Sequence, residues 1–254
     1  MMHLRRAVAL VALCLLIAAP AMLPAQTTAA QLAGRVAAHI VDCYTNLGYP
    51  VISRFDGLVT VAFDSSCSPE TRASVAMLLL RLNALLGPEA QLQLRPGYST
   101  PVKAGTRNTI VICEGQTGLA VMGSYASHIP SSVNGLAAFS ASYGRIDSAV
   151  VWVNVPVAPE SYALTVKVDA DYNTLMHELL HALGMAADSS DNHDVMHYKP
   201  LGKGFSETEY FAIQVLYRLL QGGETRAEAQ AIAADALLPI FAQRPAAALA
   251  SYHP

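Results

Sequence analysis

The sequence predicts an α/β (α+β) fold in which one long helix backs a mixed five-stranded sheet. Five short apolar runs have the length and composition of strands. They lie at residues 58–63, 92–94, 109–113, 136–141 and 149–155. Between the first two runs, apolar residues recur at helical spacing. A helix that connects two strands lets them run parallel, so this order predicts a mainly parallel sheet.

The long helix is expected to begin and end sharply. Ser68 precedes Pro69, and proline at the first helical position is typical of a helix start. Gly87 and Pro88 then stop the helix. Further along, the turn-like sequence at 143–145 joins the last two predicted strands as a hairpin.

Two capping boxes indicate where the last two helices begin. Ser206 is followed three residues later by Glu209, and this helix is expected to run to the glycines at 222–223. Thr225 and Glu228 have the same spacing. An alanine-rich stretch follows them, so the C-terminal region is expected to be helical.

Composition limits the classes of partner. With 254 residues, 53% of them hydrophobic, the chain can form one main domain. Its net charge of −3 provides no basic surface for nucleic acid or for an anionic membrane. We therefore expect a peptide or small-molecule partner and a monomeric protein.

The N-terminus has the features of an export signal. Arg5 and Arg6 precede an apolar run at 7–17. The small-x-small sequence Ala-Pro-Ala at 19–21 then offers a cleavage site, and Leu-Pro-Ala at 23–25 is a second choice. An uncleaved anchor is the alternative, but a membrane span needs about 20 apolar residues. We expect a secreted or extracytoplasmic (periplasmic or cell-surface) protein with no stable membrane span after signal cleavage. The predicted segments are a signal peptide (1–25), an N-terminal extension or pro-segment (26–57), the main domain (58–222) and an alanine-rich helical tail (223–254).

Three cysteines follow the signal peptide, in which Cys14 lies. Cys67 and Cys113 each come at or just after the end of a predicted strand. If those strands are parallel neighbours, both thiols lie at one end of the sheet and could pair, which would leave Cys43 free; the sequence alone does not fix the connectivity.

The sequence HELLHALG at residues 177–184 is a potential metal site. His177 and His181 lie one helical turn apart, so both imidazoles can reach one ion. Glu178 lies beside them and can act as a general base towards a zinc-activated water. Histidines satisfied within the core are the alternative, but burying these groups on an apolar helix is costly unless they are paired. Asp171 or Asn173 is expected to cap this helix, and Gly184 to end it.

Together with Met196 in the turn VMHY, this motif resembles the metzincin clan of zinc peptidases, and most closely its matrixin branch. Four further segments resemble that branch in the same order: VTVAFDSSCSPETRA, GLAAFSASYGRIDSAVVWVN, DSSDNHDVMHY and FSETEYFAIQVLY. The resemblance covers residues 58–220. It implies a metzincin-like fold with a long backing helix, a metal-site helix and a C-terminal helix, together with a zinc-dependent endopeptidase activity on peptide or protein substrates.

The chain departs from this family at the third zinc ligand. The position at which the family has histidine is Ala187 here. If one residue is inserted, Asp188 aligns with the histidine, and carboxylate oxygen is an acceptable zinc ligand. His193 is the rival ligand. Weaker candidates, more readily explained as solvated loop residues, are Asp191, Asp194 and His197.

The resemblance also assigns roles beyond the ligands. Met196 corresponds to the Met-turn residue, which packs beneath the metal. Tyr198 resembles a tyrosine of the astacin and serralysin branches, so we expect it to stabilise the oxyanion of the transition state, although packing is the simpler explanation. The strand at 135–141 would be the edge to which an extended substrate adds.

Three alternatives remain open from the sequence. Cys43 or Asp42 could occupy the open zinc position and hold a precursor inactive. Glu207 or Glu209 could supply the third ligand of a thermolysin-like peptidase. The chain could also be a zinc-binding but non-catalytic extracellular binding protein.

Overall fold

The structure is a computed structural model that describes residues 28–45, 51–88, 90–95, 103–123, 133–154, 156, 166–198, 204–245 and 248. The predicted signal peptide lies outside these residues, as does most of the chain after Pro245. Within the described part of the chain, no helix is both long enough and apolar enough to cross a membrane.

A five-stranded mixed sheet forms the centre of the protein. Its strands are β1 (Gly57–Phe63), β2 (Ala90–Leu94), β3 (Thr109–Glu114), β4 (Gly135–Ser142) and β5 (Arg145–Val153). They lie in the order β2-β1-β3-β5-β4. Only the edge strand β4 is antiparallel to its neighbour, and the other pairs are parallel. The predicted mixed, mainly parallel α/β sheet is confirmed.

The described residues form six helices. They are α1 (Ala29–Tyr44), α2 (Pro69–Leu86), α3 (Gly115–Leu119), α4 (Val166–Ala182), α5 (Glu207–Arg218) and α6 (Arg226–Ala242). The long helix α2 begins and ends where the sequence predicts, because the Ser68 side chain caps it and Gly87 follows it at a φ of 82°. Both predicted capping boxes, at Ser206 and Thr225, are confirmed.

The predicted caps of the motif helix are wrong. Helix α4 begins at Val166, so Asp171 and Asn173 lie within it. Neither glycine nor proline interrupts the sequence after Val166, so helix formation extends upstream of these residues. Asn173 is buried, and its Oδ1 accepts a hydrogen bond from the N–H of Gly204 (3.5 Å). Helix α5 also ends earlier than predicted, at Arg218.

The predicted disulfide is wrong as well. Neighbouring side chains of β3 point to opposite faces of the sheet. Ile112 packs in the main core, to which Cys67 also belongs, whereas Cys113 packs with Trp152 in a separate cluster. The two thiols therefore lie on different faces, and the Sγ of Cys67 donates instead to the Ile112 carbonyl (3.1 Å). The cysteines among the described residues, Cys43, Cys67 and Cys113, are all free.

Helices α1 and α6 pack against each other and belong to the same core as the sheet. Leu32, Val36 and Ile40 of α1 are fully buried, at the helical spacing visible in the sequence. Leu237 of α6 is buried too, but Ile240 is exposed. The hydrophobic core thus includes a helix on each side of residues 58–222 in the sequence.

Candidate metal centre

The C-terminus of α4 directs the chain back over the two histidines. The N–H of Gly184 bonds to the His181 carbonyl (2.9 Å), and the N–H of Met185 bonds to the Leu180 carbonyl (3.1 Å). This pair of bonds is a Schellman motif, which needs a left-handed residue. Gly184 has a φ of 107°, and a Cβ at this position would lie 2.2 Å from the carbonyl oxygen of Ser53. Glycine is therefore required here for its backbone conformation and for the close packing.

Beyond Gly184, residues 185–198 form the ligand loop, which brings Asp188 to the two histidines. The Nε2 atoms of His177 and His181 lie 2.9 Å apart. Oδ1 of Asp188 lies 3.3 Å from the first and 3.1 Å from the second. These three residues form a group of potential metal ligands within the described part of the chain. The structure thus brings together the three residues that the sequence analysis selected.

Hydrogen bonds on the opposite side of each ring fix the histidine tautomers. Nδ1 of His177 donates to the Val195 carbonyl (2.8 Å), and Nδ1 of His181 donates to the Met185 carbonyl (2.5 Å). Each Nε2 is therefore an acceptor in the neutral ring. Two nitrogen lone pairs and the carboxylate of Asp188 face one another, an arrangement that only a proton or a cation can satisfy.

The pKa values of the cluster reflect this need for positive charge. Hydrogen bonds from His177 and His181 hold the pKa of Asp188 well below its usual range. Burial acts to lower the pKa of His177, but the hydrogen bond to Asp188 and the charge of Glu178 outweigh burial, and the pKa is raised. The site therefore favours an added positive charge at the point where the three ligand atoms meet.

Zinc fits this group of ligands. In a tetrahedral zinc site, bond lengths of about 2.0–2.2 Å place neighbouring ligand atoms roughly 3.3 Å apart. The three distances observed here, 2.9, 3.1 and 3.3 Å, are close to that separation. Two imidazoles and one carboxylate are a donor set found in catalytic zinc sites, which keep a further position for water. The side chain of Asp188 is 49% exposed, so this side of the cluster is open to solvent.

Glu178 lies between the histidines and the edge strand. It is 6% exposed, and burial raises its pKa, although the charges of His181 and His177 oppose this. A backbone hydrogen bond from Ala137 in β4 also acts to lower the pKa, so the carboxylate is held against the edge strand. A Cβ on Gly135 would lie 2.7 Å from Cγ and 2.9 Å from Oε1 of Glu178. The position of the carboxylate therefore depends on glycine at the start of β4.

Backbone hydrogen bonds hold the turn that contains Met196. Met196 is fully buried, and its carbonyl accepts a hydrogen bond from the N–H of Ser189 (2.9 Å). Its own N–H donates to Oε1 of Glu209 (2.7 Å), while Oε2 of that carboxylate accepts from the N–H of Ser206 (2.8 Å). Burial raises the pKa of Glu209 to about 7. This carboxylate thus joins the N-terminus of α5 to the ligand loop.

The rival ligands make other contacts. Nδ1 of His193 lies 3.0 Å from Asp191, and the His193 side chain is 76% exposed. Glu207 forms an ion pair with Arg244 on the surface. Glu209 caps α5, as described above. None of these side chains belongs to the three-ligand group.

The other sequence candidates lie outside the group as well. Tyr198 is 68% exposed, and its ring lies 4.5 Å from that of His197, measured between centroids. The Cys43 thiol is buried in α1 and donates to the His39 carbonyl (3.6 Å), and burial raises its pKa. Asp42 pairs with Arg226 of α6. Neither Cys43 nor Asp42 reaches the ligand cluster in this structure.

Sequence reasoning did not identify the residues that position the site. Gly135 and Ala137 carry no chemistry of their own, and their role depends on a contact between β4 and α4 that no local pattern reveals. His39 and Asp194, whose Nε2 and Oδ2 atoms lie 3.0 Å apart, are separated by 155 positions in the chain. In the sequence, the only signal for this pair is a histidine on the polar face of an amphipathic stretch.

Comparison with protein-family models found no match, and comparison with curated proteins found none either. The function is therefore inferred from the residues of the site and their geometry.

Proposed function

We propose that this chain is a secreted zinc-dependent endopeptidase, and that His177, His181 and Asp188 hold the zinc ion. The observation that carries the proposal is that three acceptor atoms lie close together and that a buried carboxylate, Glu178, lies beside them. A purely structural zinc site would more naturally be closed by four protein ligands and would need no such carboxylate. The metzincin-like, and specifically matrixin-like, character of HELLHALG and VMHY supports the same proposal.

When bound, zinc supplies a water whose pKa is lowered to near neutrality. Glu178 takes a proton from the attacking water at a carboxylate oxygen and donates it to the nitrogen of the leaving amine. Its raised pKa suits this exchange, because a carboxyl group with a pKa nearer to neutrality both accepts and releases a proton readily. The backbone of Ala137 bonds to the Glu178 carboxylate, and the absence of a side chain at Gly135 leaves room for it, so the carboxylate is oriented for the transfer.

The edge strand β4 provides the substrate surface. Its inner side pairs with β5, and no described strand pairs with its outer side. An extended peptide can therefore add to this edge through backbone hydrogen bonds. Glu178 bonds to the same strand, so the scissile bond of such a peptide would lie near the general base. We propose that Tyr198, which is exposed on the ligand loop, moves towards the substrate to stabilise the developing oxyanion.

The proposal is tested by zinc content and casein cleavage. We expect wild-type protein to bind one zinc ion and to cleave casein. Glu178→Gln keeps the ligands, so it should bind zinc equally well while activity falls by about 10²–10⁴-fold. Glu207→Gln is a matched control, because that carboxylate pairs with Arg244 on the surface, and it should retain both properties.

Two ligand variants complete the test. Asp188→Ala should lose zinc, whereas His193→Ala should keep it. The opposite pattern would transfer the third-ligand role to His193. If wild-type protein binds zinc but cleaves no more casein than Glu178→Gln, the chain is a non-catalytic zinc-binding protein and the peptidase proposal is wrong.

A further inference from the structure

Helix α1 contacts the ligand loop at two points. Nε2 of His39 lies 3.0 Å from Oδ2 of Asp194 and 3.2 Å from Oγ of Ser189. One turn later, the Cys43 carbonyl accepts a hydrogen bond from the N–H of Ala187 (3.0 Å). Ala187 and Ser189 flank Asp188, so α1 holds the chain on both sides of the proposed third ligand.

Asp194 is the centre of this contact. Its carboxylate is almost fully buried, and it accepts hydrogen bonds from the hydroxyls of Ser189 (2.6 Å) and Ser206 as well as from His39. Burial acts to raise its pKa, but the hydrogen bonds from these three side chains outweigh burial and lower it. The buried carboxylate therefore joins α1, the ligand loop and the start of α5.

Ser189, His39 and Asp194 are the residue types of a nucleophilic triad, but their geometry excludes that role. In a triad, the serine and the carboxylate bind different nitrogens of the histidine. Here both contact Nε2, and the serine hydroxyl donates directly to the carboxylate. Because Ser189 is also only 4% exposed, the network holds structure and does not attack a substrate.

We propose that His39 is a positioning residue for the metal ligand Asp188, an inference that rests on the zinc site proposed above. The imidazole N–H of His39 is shared between Ser189 and Asp194, and the backbone of Ser189 continues directly into Asp188. Without this donor, Asp194 stays buried with one partner fewer, and the loop keeps only its backbone bond from Ala187 to the Cys43 carbonyl of α1. Helix α1, which lies within residues 26–57, therefore supports the ligand loop on both sides of Asp188.

Zinc affinity of the full-length protein tests the proposal. His39→Leu removes the N–H but keeps a side chain of similar size, and it should weaken zinc binding about 10–100-fold, as loss of an outer-shell partner does. His39→Gln places an amide N–H near the position of Nε2 and should restore most of the affinity. Arg35→Ala, an exposed position one turn earlier on α1, is the control and should bind zinc like wild type. Arg226→Ala removes the ion pair to Asp42 of α1 and tests whether α1 docking alone explains the loss.

Amide hydrogen exchange of zinc-free protein gives a readout that does not depend on the metal. His39→Leu should speed exchange at the N–H groups of Ser189 and Met196, and His39→Gln and Arg35→Ala should not. Equal exchange and equal zinc affinity in His39→Leu and wild type would overturn the proposal, and so would a failure of His39→Gln to restore either. If wild-type protein binds no zinc, the proposed function fails, and an unchanged exchange pattern in His39→Leu then overturns the positioning role on its own.

Discussion

Each histidine of the proposed metal centre has two nitrogens with opposite roles. The Nδ1 atoms of His177 and His181 donate to backbone carbonyls, which leaves both Nε2 atoms as acceptors that face Asp188. The sequence predicted the histidine pair from its spacing, and it predicted Asp188 from an alignment with one inserted residue. It could not predict the carbonyl partners, because the loop residues Met185 and Val195 have no side-chain signal for that role.

The position of Glu178, the proposed general base, depends on the smallest residue in the site. In Gly135→Ala, the new Cβ would lie 2.6 Å from Cγ2 of Thr174 and 2.7 Å from Cγ of Glu178, so both side chains of α4 would have to move. Because a displacement of about 1 Å can reduce catalysis 10²-fold, we expect kcat to fall by at least 10-fold while zinc remains bound.

Zinc content and kcat of purified Gly135→Ala check this prediction. Gly34→Ala is the matched control, because nothing lies within 4 Å of the added methyl group. Full activity in Gly135→Ala would show that Glu178 is not held by this contact, whereas loss of zinc would show a wider disruption of the site.

Among the elements, helix α4 has one boundary that the sequence predicts and one that it does not. Its C-terminus follows from Gly184, the local signal for a left-handed residue after a helix. Its N-terminus does not follow from a cap, since Asp171 and Asn173 both have the right chemistry yet lie within the helix. A capping residue in the sequence therefore marks a possible start, and the residues before it decide whether the helix extends further.

Gly184→Ala should destabilise the protein by about 2–5 kcal/mol, because it adds left-handed strain to a clash with the Ser53 carbonyl. Gly204 also has a positive φ, of 78°, but open space surrounds the position of its Cβ, so Gly204→Ala should cost only about 1–2 kcal/mol. Urea unfolding of both variants measures the difference. Equal losses would mean that close packing at Gly184 contributes nothing beyond the backbone conformation.

At the scale of the whole molecule, the features that the sequence could not predict are those that depend on packing between residues far apart in the chain. The mixed sheet, the long helix α2 and the capping boxes follow from local patterns. The packing of α1 on α6 does not, since Asp42 and its ion-pair partner Arg226 are 184 positions apart in the chain. The predicted Cys67–Cys113 disulfide was wrong for a related reason, because its formation depends on which face of the sheet each thiol occupies.

The cysteines provide a test of that arrangement. Burial raises the pKa values of Cys43, Cys67 and Cys113, so we expect slow reaction with a thiol reagent in the native protein. After unfolding in guanidinium, protein without its leader should expose three thiols without prior reduction. The same titration of Cys113→Ala should find one thiol fewer. If Cys67 and Cys113 formed a disulfide, Cys113→Ala would instead show one thiol more than the wild type, because Cys67 would lose its partner and become free.

The proposed function depends most directly on which atoms bind the zinc ion. X-ray absorption at the zinc K-edge of the wild-type protein measures it in a single spectrum. We predict two imidazole nitrogens together with oxygen ligands, all at about 2.0–2.2 Å, and no sulfur at about 2.3 Å. A third imidazole would show that His193 replaces Asp188 as a ligand, and a sulfur ligand would restore the Cys43 hypothesis. A protein that retains no zinc would contradict the proposed function.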